Sequence, residues 1–170
     1  MILAVDVYYE GKNAVVAGVL FENWDDDHPC EIYKSTVSNM DPYKPGEFYK
    51  RELPCILELL RDHDLKPDCI VVDGFVYLDG VGKAGLGKHL YDALQGRVNV
   101  IGVAKKPFKG ISDSFAVYRG RSHKPLYVTS EGIEMDTAKK LVVTMSGRFR
   151  VPTLLKMVDQ ACRSEPVIKR

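Results

Sequence analysis

The chain has 170 residues, a length typical of one domain with a sizeable core. Its 24 basic and 23 acidic residues give a net charge of +1, so a nucleic-acid groove would require local clustering of Lys and Arg. No apolar run approaches the ~18 residues of a membrane span, and the four cysteines form no CxxC pair, which favours free thiols in a reducing cytosol over a disulfide framework or a zinc site.

The first part of the chain predicts three strands joined by tight connections. Runs rich in β-branched residues lie at 2–8, 14–21 and 30–38. They are separated by a turn and by a polar loop, which is the pattern of an antiparallel meander.

The apolar residues then change their period. Residues 45–63 have helical spacing, and Pro54 inside this segment predicts a kink or the start of a second helix. The later predicted elements are a strand at 69–72, a helix near 88–95, a strand at 98–103, a hairpin at 114–129, and helices at 134–146 and 153–163. This order predicts a mixed sheet with helices on its faces, in a single cytoplasmic domain over 1–170. It is characteristic of the ribonuclease H-like fold.

Two aspartates lie on strands that this topology makes neighbours. Asp6 sits mid-strand between valines, where an unpaired charge is costly to bury, and Asp73 closes an apolar strand. Strands one and four lie about 4.8 Å apart in such a sheet. Taken singly, Asp6 could cap a turn and Asp73 could belong to a common Asp-Gly turn. Together they predict a shared metal site.

Glu52 is the third candidate acid. It lies on the predicted helix after the third strand, where a solvated glutamate is the ordinary interpretation. Three carboxylates converging on one point would repel one another, and a hard cation with oxygen ligands, Mg²⁺ or Mn²⁺, relieves that repulsion. Such ions activate water and stabilise a leaving oxygen in phosphodiester cleavage.

Other residues could contact a nucleic acid. Lys105 and Lys106 follow a predicted strand, where a lysine can reach a phosphate, although either could be an ordinary surface lysine. Pro42 and Pro45 brace Tyr43, whose ring could wedge between bases or simply pack over its own loop.

These segments together resemble the endonuclease V family over roughly residues 2–163. The motifs that carry the likeness are Ala4-Val5-Asp6-Val7-Tyr8-Tyr9, Pro42-Tyr43-Lys44-Pro45-Gly46 leading to Arg51-Glu52-Leu53-Pro54, Val71-Val72-Asp73-Gly74, and Ile101-Gly102-Val103-Ala104-Lys105-Lys106. Their order and spacing match together, which is more specific than any one motif.

The resemblance implies metal-dependent cleavage of a nucleic-acid strand near hypoxanthine, at the second phosphodiester bond on its 3′ side. It implies that Asp6, Glu52 and Asp73 bind the metal and that Lys105 lies near the phosphate. The residues implied to contact nucleic acid are Tyr43 of a strand-separating wedge with its neighbours Pro42 and Pro45, together with Gly74 and Lys106.

Two positions depart from the family pattern. A family histidine is matched here by Glu131, which could itself bind metal, with Asp136 as the alternative fourth acid. After Asp73, where the family commonly has His-Pro-Arg beside the base pocket, residues 75–82 read FVYLDGVG. The sequence therefore leaves open an active nuclease for inosine-containing DNA or RNA and a catalytically weak or substrate-altered nucleic-acid-binding relative.

Overall fold

A computed structural model describes residues 1–40, 42, 44, 45 and 47–164 of the chain. Within these ranges the strands are β1 Ile2–Glu10, β2 Asn13–Phe21, β3 Glu31–Val37, β4 Cys69–Asp73, β5 Asn99–Ala104, β6 Ala116–Val117 and β7 Leu126–Glu131. The helices are α1 Phe48–Asp62, α2 Leu86–Ala93, α3 Met135–Thr144 and α4 Thr153–Arg163, with a short 3₁₀ turn at Asp113–Phe115. The predicted elements are present, with small shifts at their ends.

One mixed sheet contains all the strands of the described ranges, in the order β3-β2-β1-β4-β5-β7-β6. The meander β1–β2–β3 is antiparallel, and β1, β4 and β5 are parallel neighbours. The predicted adjacency of strands one and four is confirmed. The predicted hairpin is the antiparallel pair of β6 and β7, in which β6 is only two residues long.

Each face of the sheet carries its own hydrophobic core. Along β1, Ile2 and Ala4 pack with α3 and α4, whereas Leu3 and Val5 pack with α1 and α2. This alternation follows from the two-residue period of a strand. A sheet covered on both faces explains why β4 and β5 read as continuous apolar runs.

Helix α1 runs through Pro54 without a break, so the prediction of a second helix starting there is wrong. Proline removes the bond that its N–H would give to the carbonyl of Lys50. Lys50 and Pro54 both lie on the exposed side of the helix. Packing of Cys55, Ile56 and Leu59 against the sheet holds the helix in register.

None of the helices in the described ranges combines the length and the hydropathy that crossing a bilayer requires. The four cysteines are free; Cys55, Cys69 and Cys162 are buried, whereas Cys30 is exposed.

Candidate active site

The site is built on the edge where β1 and β4 carry their acids. The parallel register pairs Val5 with Val72, so Asp6 and Asp73 each lie one residue further along neighbouring strands. The alternation of side chains points both acids toward the face that α4 covers, together with Ile2, Ala4 and Val71. The sheet therefore brings the two predicted acids side by side, about one strand spacing apart.

Glu52 reaches the same place from helix α1. It lines a small pocket with Asp6 and Asp73 on the α1 side of the sheet edge. Burial, together with the nearby charges of Asp73 and Asp6, raises the pKa of Glu52 to about 8. The three predicted acids therefore share one electrostatic environment.

Asp6 is the centre of this cluster. Burial, the charge of Asp73 and the proximity of Asp159 raise its pKa to about 7, although the N–H of Val7 donates to its Oδ1 at 2.9 Å. A partly buried carboxyl among other carboxyls holds its proton because the charged form is both desolvated and repelled.

Lys105 supplies the positive charge at this edge. Its Nζ lies 3.9 Å from Oδ2 of Asp73, with 38% of the lysine side chain and 43% of the aspartate side chain exposed. Burial raises the pKa of Asp73, while the Lys105 ammonium opposes this rise. The lysine thus stands beside the acids while remaining accessible to a ligand from solvent.

Asp159 on α4 is a fourth acid that the sequence analysis missed. Donor atoms of Asp6, Asp159 and Cys162 all lie within 4.8 Å of one another. Burial alone would raise the pKa of Asp159, but hydrogen bonds with Arg163 and with Asp6 hold it below its usual value. Arg163 Nε donates to Asp159 Oδ1 at 3.0 Å. Of these two neighbouring carboxyls, Asp6 therefore holds a proton more readily than Asp159.

A sequence signal for Asp159 exists in the amphipathic pattern of α4. Leu154, Val158 and Cys162 form its buried stripe at four-residue intervals. Asp159 flanks this stripe one turn after Leu155, which lines a pocket with Asp6 and Asp73. A carboxylate at the border of an apolar stripe points toward the core margin, where charged groups need a partner.

The register of β7 corrects the prediction for Glu131. Glu131 pairs with Val100 at the start of β5, whereas Asp73 pairs with Val103 near its end. Three residues along a strand span about 10 Å, so Glu131 lies toward the opposite edge of the sheet. The hydroxyl of Tyr77 donates to its carboxylate at 2.5 Å. Asp136 lies in the first turn of α3, just beyond this far end of β7, and its role as the alternative fourth acid stays a prediction.

The donor set suits a hard divalent cation. Asp6, Glu52, Asp73 and Asp159 offer carboxylate oxygens, the ligands that Mg²⁺ and Mn²⁺ prefer. Burial raises the pKa of the Cys162 thiol to about 12, and its Sγ donates to the carbonyl of Asp159 at 3.2 Å, so it stays protonated beside the acids. A cation at this cluster would relieve the repulsion that raises the carboxyl pKa values.

Comparison with known proteins gives this arrangement a family. The sequence model of endonuclease V matches residues 1–120. The chain belongs to the endonuclease V family. Endonuclease V of Trichormus variabilis is 29% identical over 183 residues, covering 94% of this chain and 80% of that protein. Endonuclease V of Streptomyces avermitilis is 28% identical over 188 residues, covering 95% and 79%.

Solved endonuclease V structures share the fold. The Streptomyces avermitilis enzyme superimposes with a TM-score of 0.74 at 26% identity, covering 95% of this chain and 79% of that one. Endonuclease V of Ciona intestinalis, in complex with a 24mer DNA containing an inosine followed by a ribo-adenosine, gives a TM-score of 0.76 at 20% identity, covering 95% and 84%. The ribonuclease H-like architecture predicted from the element order is thereby confirmed.

The structure describes only part of the loop that carries the predicted wedge. Tyr43 lies outside the described residues, so its wedge role stays a prediction. Pro42 and Pro45 are exposed, and Pro42 shares a pocket with Lys50 and Arg51 at the start of α1. This open position is compatible with contact to a nucleic acid.

Gly74 and Lys106 follow the ends of the neighbouring strands β4 and β5, close to the acids. Gly74 has φ +136°, a conformation that glycine adopts readily, and its N–H donates to the carbonyl of Val103 at 3.1 Å. A Cβ on Gly102 would lie 2.6 Å from the carbonyl oxygen of Gly74. The glycine in the Ile101-Gly102-Val103 motif therefore allows the backbone at Gly74 to pass close to β5. Lys106 is exposed beside Lys105.

The loop after Asp73, where this chain departs from the family pattern, is internally braced. The N–H of Val76 donates to the hydroxyl of Thr129 at 2.8 Å, and Tyr77 bridges to Ala84. Asp79 Oδ1 accepts the N–H groups of three following residues at about 3.0 Å, those of Val81, Gly82 and Lys83. The Tyr77–Glu131 hydrogen bond ties this loop to β7. Glu131 therefore acts in the structure as a loop anchor.

Proposed function

We propose that this protein is a metal-dependent endonuclease that hydrolyses a phosphodiester bond in a strand containing deaminated adenine. The observation that carries the proposal is that Asp6, Glu52 and Asp73 line one small pocket at a sheet edge, with Asp159 close to Asp6 and Lys105 beside Asp73. Membership of the endonuclease V family supports a nuclease, and the site chemistry supports the metal requirement.

Asp6, Asp73, Glu52 and Asp159 would hold Mg²⁺ or Mn²⁺. Such an ion, when bound, lowers the pKa of water and neutralises charge that develops on the phosphate and the leaving oxygen. Asp6 and Asp73 are placed by adjacent strands, which is a rigid way to fix two ligands. Glu52 and Asp159 come from helices on opposite faces, so they enclose the same edge from both sides.

Lys105 would act on the phosphate itself. Its side chain is 38% exposed and its Nζ lies 3.9 Å from Oδ2 of Asp73, a distance that leaves it free to turn toward an incoming oxygen anion. A cation there attracts the phosphate into the acid-lined edge, where carboxylates alone would repel it. Lys105 is thus assigned to orient the phosphate and to stabilise its extra negative charge in the transition state.

The proposal that this protein prefers inosine is based on its relatives. The Ciona intestinalis protein was solved with a DNA containing an inosine followed by a ribo-adenosine. We propose the same class of lesion for this chain, acting as one domain over 1–170, in DNA repair or in the processing of inosine-containing RNA. The free cysteines fit a reducing cytoplasm.

A second candidate is a nuclease or nucleic-acid-binding relative with a changed base preference. The observation that favours it is the braced loop after Asp73, which reads Phe75-Val76-Tyr77 in place of the family's usual residues and is tied to Glu131. The acids and Lys105 are the same in both candidates, so only the choice of base separates them.

A cleavage assay decides between these functions. End-labelled single strands with and without one inosine are incubated with Mg²⁺, Mn²⁺ or EDTA. We expect a cut at the second phosphodiester bond 3′ of inosine, with metal only. Cleavage of both strands at equal rates would establish the substrate-altered candidate, and no cleavage of either would leave the binding-only relative.

A further inference from the structure

Three loops beyond the acids meet at the same edge of the sheet. They cover 105–112 after β5, 118–125 between β6 and β7, and 145–151 between α3 and α4. Because β6 and β5 both run antiparallel to β7, the end of β5, the end of β6 and the start of β7 lie together. Val151 of the third loop lines a pocket with Asp6, Asp73 and Lys105. We call these loops the three-loop platform.

The platform is strongly basic in a chain that is nearly neutral. Its three segments contain eight of the 24 basic residues and none of the 23 acidic residues. The rest of the chain must therefore be net acidic. Among these eight residues, the exposed ones are Lys106, Lys109, Arg121, Lys124 and Arg148. A one-signed patch at one edge is an electrostatic footprint for a polyanion.

Arg119 joins two of the loops from inside. Its side chain is buried, with 5% exposed, and its guanidinium donates to the carbonyls of the other loop within 3.2 Å, namely those of Met145, Gly147, Phe149 and Arg150. Four carbonyls around one guanidinium fix the path of the 145–151 loop, because each bond orients a different peptide group.

A second arginine and a glycine complete the link. Arg150 Nη1 donates to the carbonyl of Lys105 at 3.1 Å and to that of Pro125 at 3.4 Å. Gly120 has φ +60°, and a Cβ there would collide with the carbonyl of Arg148. The three loops are therefore one preorganised surface.

The platform displays two aromatic rings to solvent. Phe149 is 68% exposed and Tyr118 is 60% exposed. The guanidinium of Arg148 lies 5.9 Å from the Phe149 ring centre. Exposed rings among cations are the features that bind unpaired nucleic acid, because bases stack on the rings while phosphates meet the cations.

The position of the platform sets its reach from the acids. Tyr118 follows β6, which is separated from the Asp73 strand by β5 and β7. Three strand spacings of about 4.8 Å give ~14 Å, close to the rise of four stacked nucleotides at about 3.4 Å each. A strand whose phosphate lies at Lys105 could therefore continue across Arg121, Lys124 and Arg148.

We propose that the three-loop platform binds the single-stranded part of the substrate a few nucleotides from the cleaved phosphate. This inference rests on the proposed function for its substrate class. Arg121, Lys124 and Arg148 meet phosphates, and Phe149 or Tyr118 stacks on a base. The platform binds a single strand and not a duplex, because the bases of a duplex already stack on one another and are not free to stack on the exposed rings.

The test is binding without cleavage. A fluorescein-labelled single-stranded DNA without inosine is titrated in EDTA, and the dissociation constant is followed by anisotropy between about 50 and 200 mM salt. The variants are Phe149→Leu, Phe149→Tyr and the double variant Arg121→Gln/Arg148→Gln. Lys66→Gln/Arg97→Gln removes two exposed cations before β4 and β5, at the opposite edge, and is the matched control.

The platform predicts a distinct result for each variant. Phe149→Leu weakens binding by at least about 5-fold, and Phe149→Tyr, which keeps the ring, restores it. The platform double variant lowers the slope of log affinity against log salt by about 1.4, corresponding to two phosphate contacts on a single strand. The control double variant leaves the slope as in the wild type.

Two results would overturn the platform: unchanged affinity in both Phe149→Leu and Arg121→Gln/Arg148→Gln, or an equal change in the control. Either would leave the proposed function standing if the wild type still cuts an inosine strand. Conversely, if the platform variants lose binding while the wild type cuts no strand at all, the platform would be supported and the nuclease function refuted.

Discussion

Replacing Asp6 with Asn should change how the stability of the protein depends on pH. The pKa of Asp6 is raised from 3.8 to about 7 in the folded protein, and that of Glu52 from 4.5 to about 8. The folded state therefore holds these protons more tightly than the unfolded chain. Consequently, without metal, the free energy of unfolding falls as pH rises from about 4 and stops falling above about pH 8.

The magnitude follows from the width of this window. One pKa unit corresponds to about 1.36 kcal/mol, so Asp6 alone removes about 3 kcal/mol of stability between pH 5 and pH 8. Glu52 adds to this, although the two acids repel each other and their effects are not additive. Asp6→Asn eliminates the first contribution and weakens the second, because a neutral amide no longer repels Glu52.

Urea unfolding in EDTA at pH 5 and pH 8 measures the effect. We expect the wild type to lose several kcal/mol over this range, on the order of 3–5, and Asp6→Asn to lose much less and to be the more stable protein at pH 8. Asp136→Asn, an exposed acid on α3, is the control and should follow the wild-type curve. Equal stability of the wild type at the two pH values, or the same loss in Asp6→Asn, would refute the reasoning.

Three further predictions concern metal and substrate. Asp159→Asn should weaken Mn²⁺ binding in calorimetric titration and reduce cleavage, whereas Glu131→Gln should leave Mn²⁺ affinity unchanged; the reverse pattern would restore Glu131 as the fourth acid. Adding Mn²⁺ at pH 8 should raise the melting temperature of the wild type by several degrees, on the order of 4 °C per kcal/mol of binding energy, and an equal rise in Asp6→Asn would place the ion elsewhere. Tyr43→Ala should slow cleavage of an inosine-containing duplex more than that of a single strand, and equal losses would indicate a packing role.

The part of the site that lies on strands could be predicted from the sequence. A charge inside an apolar strand is conspicuous, and the order of the elements makes β1 and β4 neighbours, so Asp6 and Asp73 follow from local pattern plus topology. Glu52 could also be predicted, because it lies near the start of the helix that follows the meander and must cover the sheet.

Asp159 could not be found in the same way. The amphipathic pattern of α4 places Asp159 beside the buried stripe, but it does not tell which strands the helix covers; that is decided by the packing of Leu154, Val158 and Cys162 on the sheet. Glu131 failed for a related reason, since a position in the sequence does not reveal the register of an antiparallel strand. A shift of a few residues along β7 separates one edge of the sheet from the other.

The most direct test of the four-acid site is the cleavage rate of an end-labelled inosine strand as Mn²⁺ is increased, for the wild type and for Asp73→Asn. Asp73 is half-exposed, so the amide should fold normally, which circular dichroism can verify. We expect saturable, metal-dependent cutting by the wild type and none by Asp73→Asn at any concentration. Cutting by the wild type in EDTA, or a wild-type rate in Asp73→Asn, would contradict the account.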